Sequence, residues 1–335
     1  MKRTSIKDIA QAVGVSNATV SLVLTGKAKN GRVSDEIADK IRLTAKSMNY
    51  QPNRLARSLQ SGRSQTIGLL IADIVNPFFG NMAFHIQEEM RKAGYAVIIM
   101  NTDEDSGQME DMIELMRCRQ VDGFIIVPAE SGEQSVAKLI EENIPLVLID
   151  RYYPDIRTNN VLIDNFDASY QATRHLIMKG CKNIALFIYD SKQPHMEGRK
   201  KGYIEALNES DLFKSSLIRE VSYKNTAQDL NNELNSMFKN NEPVDGILFA
   251  TNTIAVTGLK LLYKRNTYTP ENIQIVCFDK SEIFDFLPIP VTYIQQPIQS
   301  IAFMATRLLL EQLDEVPAEP SSYRLPAELV IWEEA

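Results

Sequence analysis

From Thr66 onward the chain alternates short apolar runs with amphipathic segments, and this alternation limits the fold more than any other feature. Residues 67–72, 96–100, 123–127 and 146–149 are runs of strand length. Residues 84–92, 109–118 and 136–142 between them carry apolar side chains at helical spacing. The pattern restarts with helical segments 168–178, 196–207 and 254–264, alternating with apolar runs 184–189, 247–250 and 273–278. Strand–helix alternation implies parallel sheets in open α/β layers, and two series imply two lobes. Residues 291–294 and a helix over 298–313 are expected to cross back to the first lobe. No run approaches the ~18 consecutive apolar residues of a membrane span. The first eight residues have a charged start without an apolar stretch behind it, unlike a secretory signal. Cys118, Cys181 and Cys277 lie far apart in apolar or helical settings, which reads as buried free thiols in a reducing compartment.

The first 63 residues are different in kind. They hold 12 Lys and Arg against 4 Asp and Glu, a surplus of 8 positive charges, whereas the remainder holds 24 against 39 and the whole chain sums to −7. A basic head on an acidic body is the electrostatic footprint of a nucleic-acid-binding module joined to something else. Ser5 with Asp8 three places on is close to a capping box, and Ile6, Ile9, Ala10 and Val13 follow at helical spacing. Gly14 breaks that helix. Ser16 caps a second over 17–24, with Val20 and Leu24 turned inward. Ser34 caps a third, with Asp35 and Glu36 in its first turn and Ile37, Ile41 and Ala45 as its apolar stripe. Two short helices joined by a Gly-containing turn and buttressed by a third form a helix-turn-helix. The second helix would present Asn17, Ala18, Ser21 and Leu22. Asn can pair with adenine, and Ala or Leu can touch a thymine methyl.

Four motifs carry a specific resemblance: Ile6-Lys7-Asp8-Ile9-Ala10, Gly14-Val15-Ser16, Ala18-Thr19-Val20-Ser21, and the run from Tyr50 through Pro52-Asn53-Arg54 to Leu59. Through about Gly68 the chain resembles the head of the LacI/GalR (lactose-repressor) family. The resemblance implies a small all-α helix-turn-helix head followed by a two-lobed α/β core like periplasmic binding proteins. The implied divisions are 1–51 for the head, 52–64 for a hinge helix and linker, and 65–335 for the core. Within the core, lobe 1 takes about 65–162 and 295–324, and lobe 2 about 163–292 and 325–335. The head residues assigned to DNA contact are Ser5, Ile6, Ser16, Asn17, Ala18, Thr19, Ser21 and Leu22; the hinge adds Asn53, Leu55, Ala56, Arg57 and Leu59. A hinge helix this short is unstable alone in water. In the resembled family two of them pair in the minor groove, where the counterpart of Leu59 wedges between base pairs. The chain departs from the family at Leu22, where Arg is usual, and in a longer segment 27–32.

In open α/β sheets ligands sit at the carboxyl ends of the strands. Those ends offer Asp73 and Asn76, Asp150, Asp190, Asn252 and Asp279, and Pro77-Phe78-Phe79 offers an apolar floor with Phe79 among the lining. Each such Asp is also a candidate helix cap and nothing more. The resemblance adds Arg199, in Arg-x-x-Gly-aromatic, and Gln296 before Pro297. It also supports Asp150, Asn252 and Asp279, while Thr253 replaces the family's Asp. No Gly-x-Gly-x-x-Gly follows the first strand, and there is neither a P-loop nor a Gly-x-Ser-x-Gly elbow. His85, His175 and His195 sit singly, the first two read as helix-surface residues, and no catalytic, cofactor or metal role is expected. The expectation is a cytoplasmic, homodimeric, sequence-specific DNA-binding transcriptional regulator, a repressor, that binds a pseudo-palindromic double-stranded DNA operator under allosteric control by a small polar effector such as a sugar, with no membrane partner. Two alternatives stay open: the same regulator answering to a protein coregulator, and a solute-binding protein.

Overall fold

The computed structural model describes residues 4–26, 28, 33–50, 62–239, 244–265, 273–287 and 291–331. The chain divides into two units, Met1–Ser64 and Gln65–Ala335.

The first unit holds α1 (Ile6–Val13), α2 (Asn17–Leu24) and α3 (Asp35–Ser47). Ser5 and Asp8 form a full capping box, satisfying two backbone donors at the start of α1. Gly14 ends the helix at φ 81°, a left-handed conformation that costs other residues more. Ile9, Ala10, Val20, Val23, Ala38, Ile41 and Ala45 make the core. Two expected positions shift. Val23 takes the buried place assigned to Leu24, which packs partly buried at the margin, and Ile37 is exposed while Ala38 turns inward. The stripe on α3 therefore starts one residue later, where a small side chain lets the helices approach. The Thr4 hydroxyl donates to the carbonyl of Met48 (2.8 Å), tying the start of the unit to the end of α3.

The second unit contains two six-stranded sheets. In chain order its elements begin with β1 (Thr66–Ile71), α4 (Pro77–Lys92), β2 (Ala96–Asn101), α5 (Ser106–Cys118), β3 (Gly123–Ile126), α6 (Glu133–Glu141), β4 (Leu146–Ile149) and β5 (Asn159–Ile163). There follow α7 (Asn165–Met178), β6 (Ile184–Tyr189), α8 (Pro194–Asn208), β7 (Ile218–Val221), α9 (Thr226–Lys239), β8 (Gly246–Phe249) and α10 (Asn252–Lys264). The chain finishes with β9 (Gln274–Phe278), β10 (Thr292–Gln295), α11 (Ile298–Leu313), β11 (Ser322–Leu325) and β12 (Glu328–Val330). The first sheet runs β11-β5-β4-β3-β1-β2 and the second β12-β10-β9-β8-β6-β7. All pairings are parallel except β10 with β12. Helices cover both faces, so central strands such as β3 and β8 are buried throughout and read as continuous apolar runs.

The chain crosses between the sheets three times: after β5, between β10 and α11, and between β11 and β12. β10 stays in the second sheet because it pairs with β9, so the crossing expected around 292–295 comes at Gln296-Pro297. β5, β7 and α9 have no counterpart in the sequence reading. His175 is buried, not on the helix surface, because α7 lies between α8 and the second sheet. Cys118 is exposed; Cys181 and Cys277 are buried. Among the described residues, no helix is long and apolar enough to cross a membrane.

Candidate functional site

The strands of both sheets other than β12 run with their carboxyl ends toward the gap between the two lobes, and the gap is a cavity of about 460 Å³. Every core residue singled out in the sequence lines it: Asp73, Asn76, Phe79, Asp150, Arg199, Asn252, Asp279 and Gln296, together with Asp190. They do different work. Asp73 accepts from the backbone of Val75, and Asn76 caps α4 by accepting from the backbone of Phe78 (3.0 Å), so both hold the loop after β1 in shape. Asp190 is exposed at the rim.

Asp150 and Asp279 end β4 and β9, one in each lobe, and both have φ 65°. Left-handed backbone at a non-glycine residue is uncommon, and Asp tolerates it through its short polar side chain. The same turn, used once per lobe, aims a carboxylate into the gap from each side. Burial pushes both carboxyls above the usual carboxylate range, Asp279 to about 6, against the pull of Arg199 on each. The Gln296 amide donates to Asp279 (2.8 Å). Arg199 is buried with its guanidinium 4.0 Å from the centroid of the Phe278 ring, and it donates to Asn165 Oδ1 (2.8 Å) and to the carbonyl of Ala250. The motif that drew attention to Arg199 also has a packing cause. A Cβ on Gly202 would lie 2.2 Å from the carbonyl of Phe166, so only glycine lets α8 lie this close to α7. Tyr203 then reaches the carbonyl of Ile184 (2.6 Å). Asn252 donates to the carbonyl of Lys280 (3.2 Å).

Several residues of the site were not legible beforehand. Arg151 makes a two-pronged ion pair with Glu104 and lies 3.4 Å from Asp150. His195 is buried beside Arg151 and Arg199; desolvation first, then those two cations, hold it neutral. Its adjacency to a proline-started helix carried no signal, whereas Arg151 could have been found as the neighbour of Asp150. Arg151 Nε, His195 Nδ1 and Gln296 Oε1 are buried atoms without a hydrogen-bond partner, all on residues of this cavity. Unpaired buried polar atoms are costly and rare, and a cluster of them marks a surface shaped for a polar ligand. The cavity lining carries eight carboxylates against Arg151, Arg199 and Lys224.

The lobes touch across the gap. Glu130, after β3, accepts from the Ser191 hydroxyl (2.9 Å) and from the backbone of Lys192 (3.3 Å). The Gln193 amide donates to the carbonyl of Pro128 (3.2 Å), and Asn76 reaches the hydroxyl of Thr253 (3.5 Å). Thr253 thus makes a cross-cleft contact at the position where the family's acid is missing. Removing the carboxylate with Glu130→Ala is expected to shift the balance of open and bridged lobes about fivefold toward open, since such bonds contribute about 1 kcal/mol net. Small-angle scattering should show a larger radius of gyration for the variant; an unchanged value would mean the bridge holds nothing.

In the first unit, Asn17 and Ala18 are exposed at the start of α2, and Thr19, Ser21 and Leu22 are half-buried along it. Ser16 accepts from the Thr19 backbone (3.1 Å) and pairs with the Thr19 hydroxyl (2.9 Å), so both are engaged in capping. Ser5 is likewise committed to its capping box, and Ile6 packs against the core. Asn53, Leu55, Ala56, Arg57 and Leu59 lie outside the described residues, as does most of the 27–32 segment.

Residues 5–53 match the model of bacterial regulatory proteins of the lacI family, and residues 64–331 match that of periplasmic binding proteins and the sugar binding domain of the LacI family. The ribose operon repressor of Halalkalibacterium halodurans is 31% identical over 332 residues, 98% of this chain and 96% of that protein. The fold is that of the lac repressor dimer bound to operator and the anti-inducer ONPF, with a TM-score of 0.86 at 20% identity over 98% of each chain. A periplasmic binding protein/LacI transcriptional regulator from Alkaliphilus metalliredigens, complexed with D-xylulofuranose, is 27% identical, with a TM-score of 0.69 over 79% of this chain and 97% of that one. These relatives are named as repressors or regulators of transcription. A helix-turn-helix head, a two-lobed α/β body and matches that span nearly the whole sequence lead to one assignment: the chain belongs to the LacI family of bacterial regulatory proteins.

Proposed function

We propose that the protein is a homodimeric repressor whose hold on a pseudo-palindromic operator is set by an uncharged polyhydroxy compound, a sugar or close relative, bound between the lobes. The observation that carries this reading is the chemistry of the cavity. Acceptors (buried Asp150, half-buried Asp279, Gln296 Oε1) stand beside buried donors (Arg151 Nε, the Arg199 guanidinium), and carboxylates outnumber cations. A hydroxyl can donate to the first set and accept from the second, so a polyol satisfies both at once. A phosphate or carboxylate would enter against the field of eight acids. The ribose and xylulofuranose named for two relatives fit the same class. In the head, Asn17, Ala18, Ser21 and Leu22 are proposed to face the bases from α2, and Asn53 to Leu59 to act at the operator centre.

The test is a thermal-shift panel on the full chain with neutral sugars, sugar phosphates, nucleosides and nucleotides. A bound ligand at about 100 times its dissociation constant stabilises by about 2.7 kcal/mol. Neutral sugars are expected to supply the stabilising members. A shift from sugar phosphates or nucleotides alone would overturn the charge argument. If no small molecule shifts the melting, a protein coregulator becomes the better reading. The exposed Phe84 and Phe303 on helices of the first lobe favour that second reading.

A further inference from the structure

The cations of the head avoid its second helix. Residues 8–26 hold no Lys or Arg, so all 12 basic side chains of the first 63 residues lie before or after that stretch. Its one charged residue, Asp8, is engaged in the capping box of α1. α2 is uncharged along its whole length, and its two faces differ. At 3.6 residues per turn, Asn17, Ala18, Ser21, Leu22 and Thr25 fall within an arc of about 140°. Val20 and Val23 lie buried on the far side. Asn17, Ala18 and Thr25 are exposed, and Ser21 and Leu22 are half-buried.

This face has few hydrogen-bonding groups to offer. The Thr25 hydroxyl donates to the carbonyl of Ser21 (2.7 Å), and the hydroxyls of Ser16 and Thr19 pair at the cap (2.9 Å). Among the described residues, the side chains that the face keeps uncommitted for hydrogen bonding are those of Asn17 and Ser21. Ala18 and Leu22 present hydrocarbon.

Base edges answer such a face unequally. In the major groove guanine shows two acceptors, N7 and O6, which the paired donors of Arg or Lys read. α2 has neither residue. Thymine shows a methyl group, and adenine shows an acceptor beside a donor, which an Asn amide matches with two bonds. A G·C pair beneath Ala18 or Leu22 would lose the water on its polar edge and gain no partner, which weakens binding. Five residues at 1.5 Å rise separate Asn17 from Leu22 by about 7.5 Å, about two steps of 3.4 Å along a duplex, so the face spans about three base pairs.

We propose that α2 reads its half-site without charge. The sequence it reads is about three consecutive A·T pairs, recognised by thymine C5-methyls against Ala18 and Leu22 and by one adenine paired to Asn17, with guanine excluded. The flanking cations, exposed Lys7 among them, hold the phosphates. Affinity then depends on salt, and sequence preference does not. The assignment rests on the reading above that α2 faces the bases, and it extends that reading to the sequence faced.

The test is in-vitro selection with the full chain from a random duplex library, followed by fluorescence anisotropy on the selected duplex. Asn17→Ala should flatten the preference for one adenine and Leu22→Ala that for one thymine, and these positions mark the footprint of α2. Exchanging a pair there for G·C should weaken binding about tenfold. Replacing a marked thymine by uracil removes only the methyl and should cost about threefold, at low and high salt alike. Leu22→Ala should abolish that cost at its own position, and Leu22→Arg should introduce a preference for guanine there. The salt slope of each variant should match the parent's, which shows that the altered head still folds and seats. The proposal is overturned if a marked position requires guanine, if neither alanine variant changes any preference, or if uracil costs nothing. It is also overturned if uracil costs Leu22→Ala as much as the parent at every position, since the methyl would then act through the stiffness of the duplex. In each of these cases selective binding persists and the operator-binding reading survives. If no duplex is bound above random DNA, that reading falls and this one with it.

Discussion

Operator affinity is expected to fall about 10³-fold or more as salt is raised from about 50 to 200 mM. The cause is the surplus of 8 positive charges in the first 63 residues, doubled in the proposed dimer. Each phosphate neutralised releases counterions, and the slope of log K against log salt is about −0.9 per contact. The body, with 39 acids against 24 basic residues, cannot share this task and repels DNA at low salt. Screening by salt therefore acts on attraction by the heads far more than on any other contact. Fluorescence anisotropy on operator and on random duplex, each at several salt concentrations, reads the slope directly. Random DNA should show a comparable slope at lower affinity. A flat response, or equal affinity for both duplexes, would mean that the basic head is not the DNA-binding element.

Arg199→Ala is expected to abolish the effector response, with affinity for effector lowered about 100-fold, while the free protein still binds operator. The guanidinium is the buried cation that faces both Asp150 and Asp279, and without it two carboxylates meet in the low-dielectric gap. Asp279→Asn is expected to abolish the response too, yet to stabilise the fold near pH 7.5. Asp279 titrates at about 6 in the fold, above its value in the unfolded chain. The folded state therefore holds the proton more tightly, and stability is gained on acidification from pH 7 to about 4 and lost as pH rises through 6. At pH 7.5 the ionised Asp279 costs about 2 kcal/mol, allowing for its partial contact with water. Asn carries no charge and removes both the cost and this part of the pH dependence. Melting curves from pH 5 to 8 on parent and variant check it; identical pH profiles would show that Asp279 is ordinarily ionised. A residue whose neutral substitute is more stable but inactive is retained for binding.

The alternation of apolar runs made the lobes legible, because a strand covered on both faces must be apolar along its length, as β3 and β4 are. Where covering is partial the signal fades. β7 is an edge strand containing Arg219 and Glu220, and β5 opens on Asn159 and Asn160. Asn160 is tolerated inside because it donates to the carbonyl of Thr158 and accepts from Ser322, whose strand is distant in sequence. α9 was within reach, since Leu230, Leu234 and Met237 fall at helical spacing and are buried. The strand-end carboxylates were legible by the rule that ligands gather there. Which of them cap loops, as Asp73 does, and which are aimed into the cavity, as Asp150 and Asp279 are, depends on backbone dihedrals. The Arg151–Glu104 pair depends on two loops meeting, β4 to β5 with β2 to α5. Lateral order along a sheet was also hidden, so nothing in the sequence placed Tyr223 in one cavity with Asp105.

All three crossings between the lobes leave from one edge, beside β5, β10 and β11, and this makes the body a pair of callipers. Angular motion about that edge hardly displaces Asp150 or Gln296, but a turn of about 10° moves groups near β2 and β7, about 19 Å away, by about 3 Å. Asp150, Asp279 and Gln296 stand near the pivot and keep their places. Groups at the tips, Asp105 after β2 and Tyr223 after β7, travel farthest. Ligands of different size would then set different jaw angles, so one protein could grade its answer by the size of what it holds.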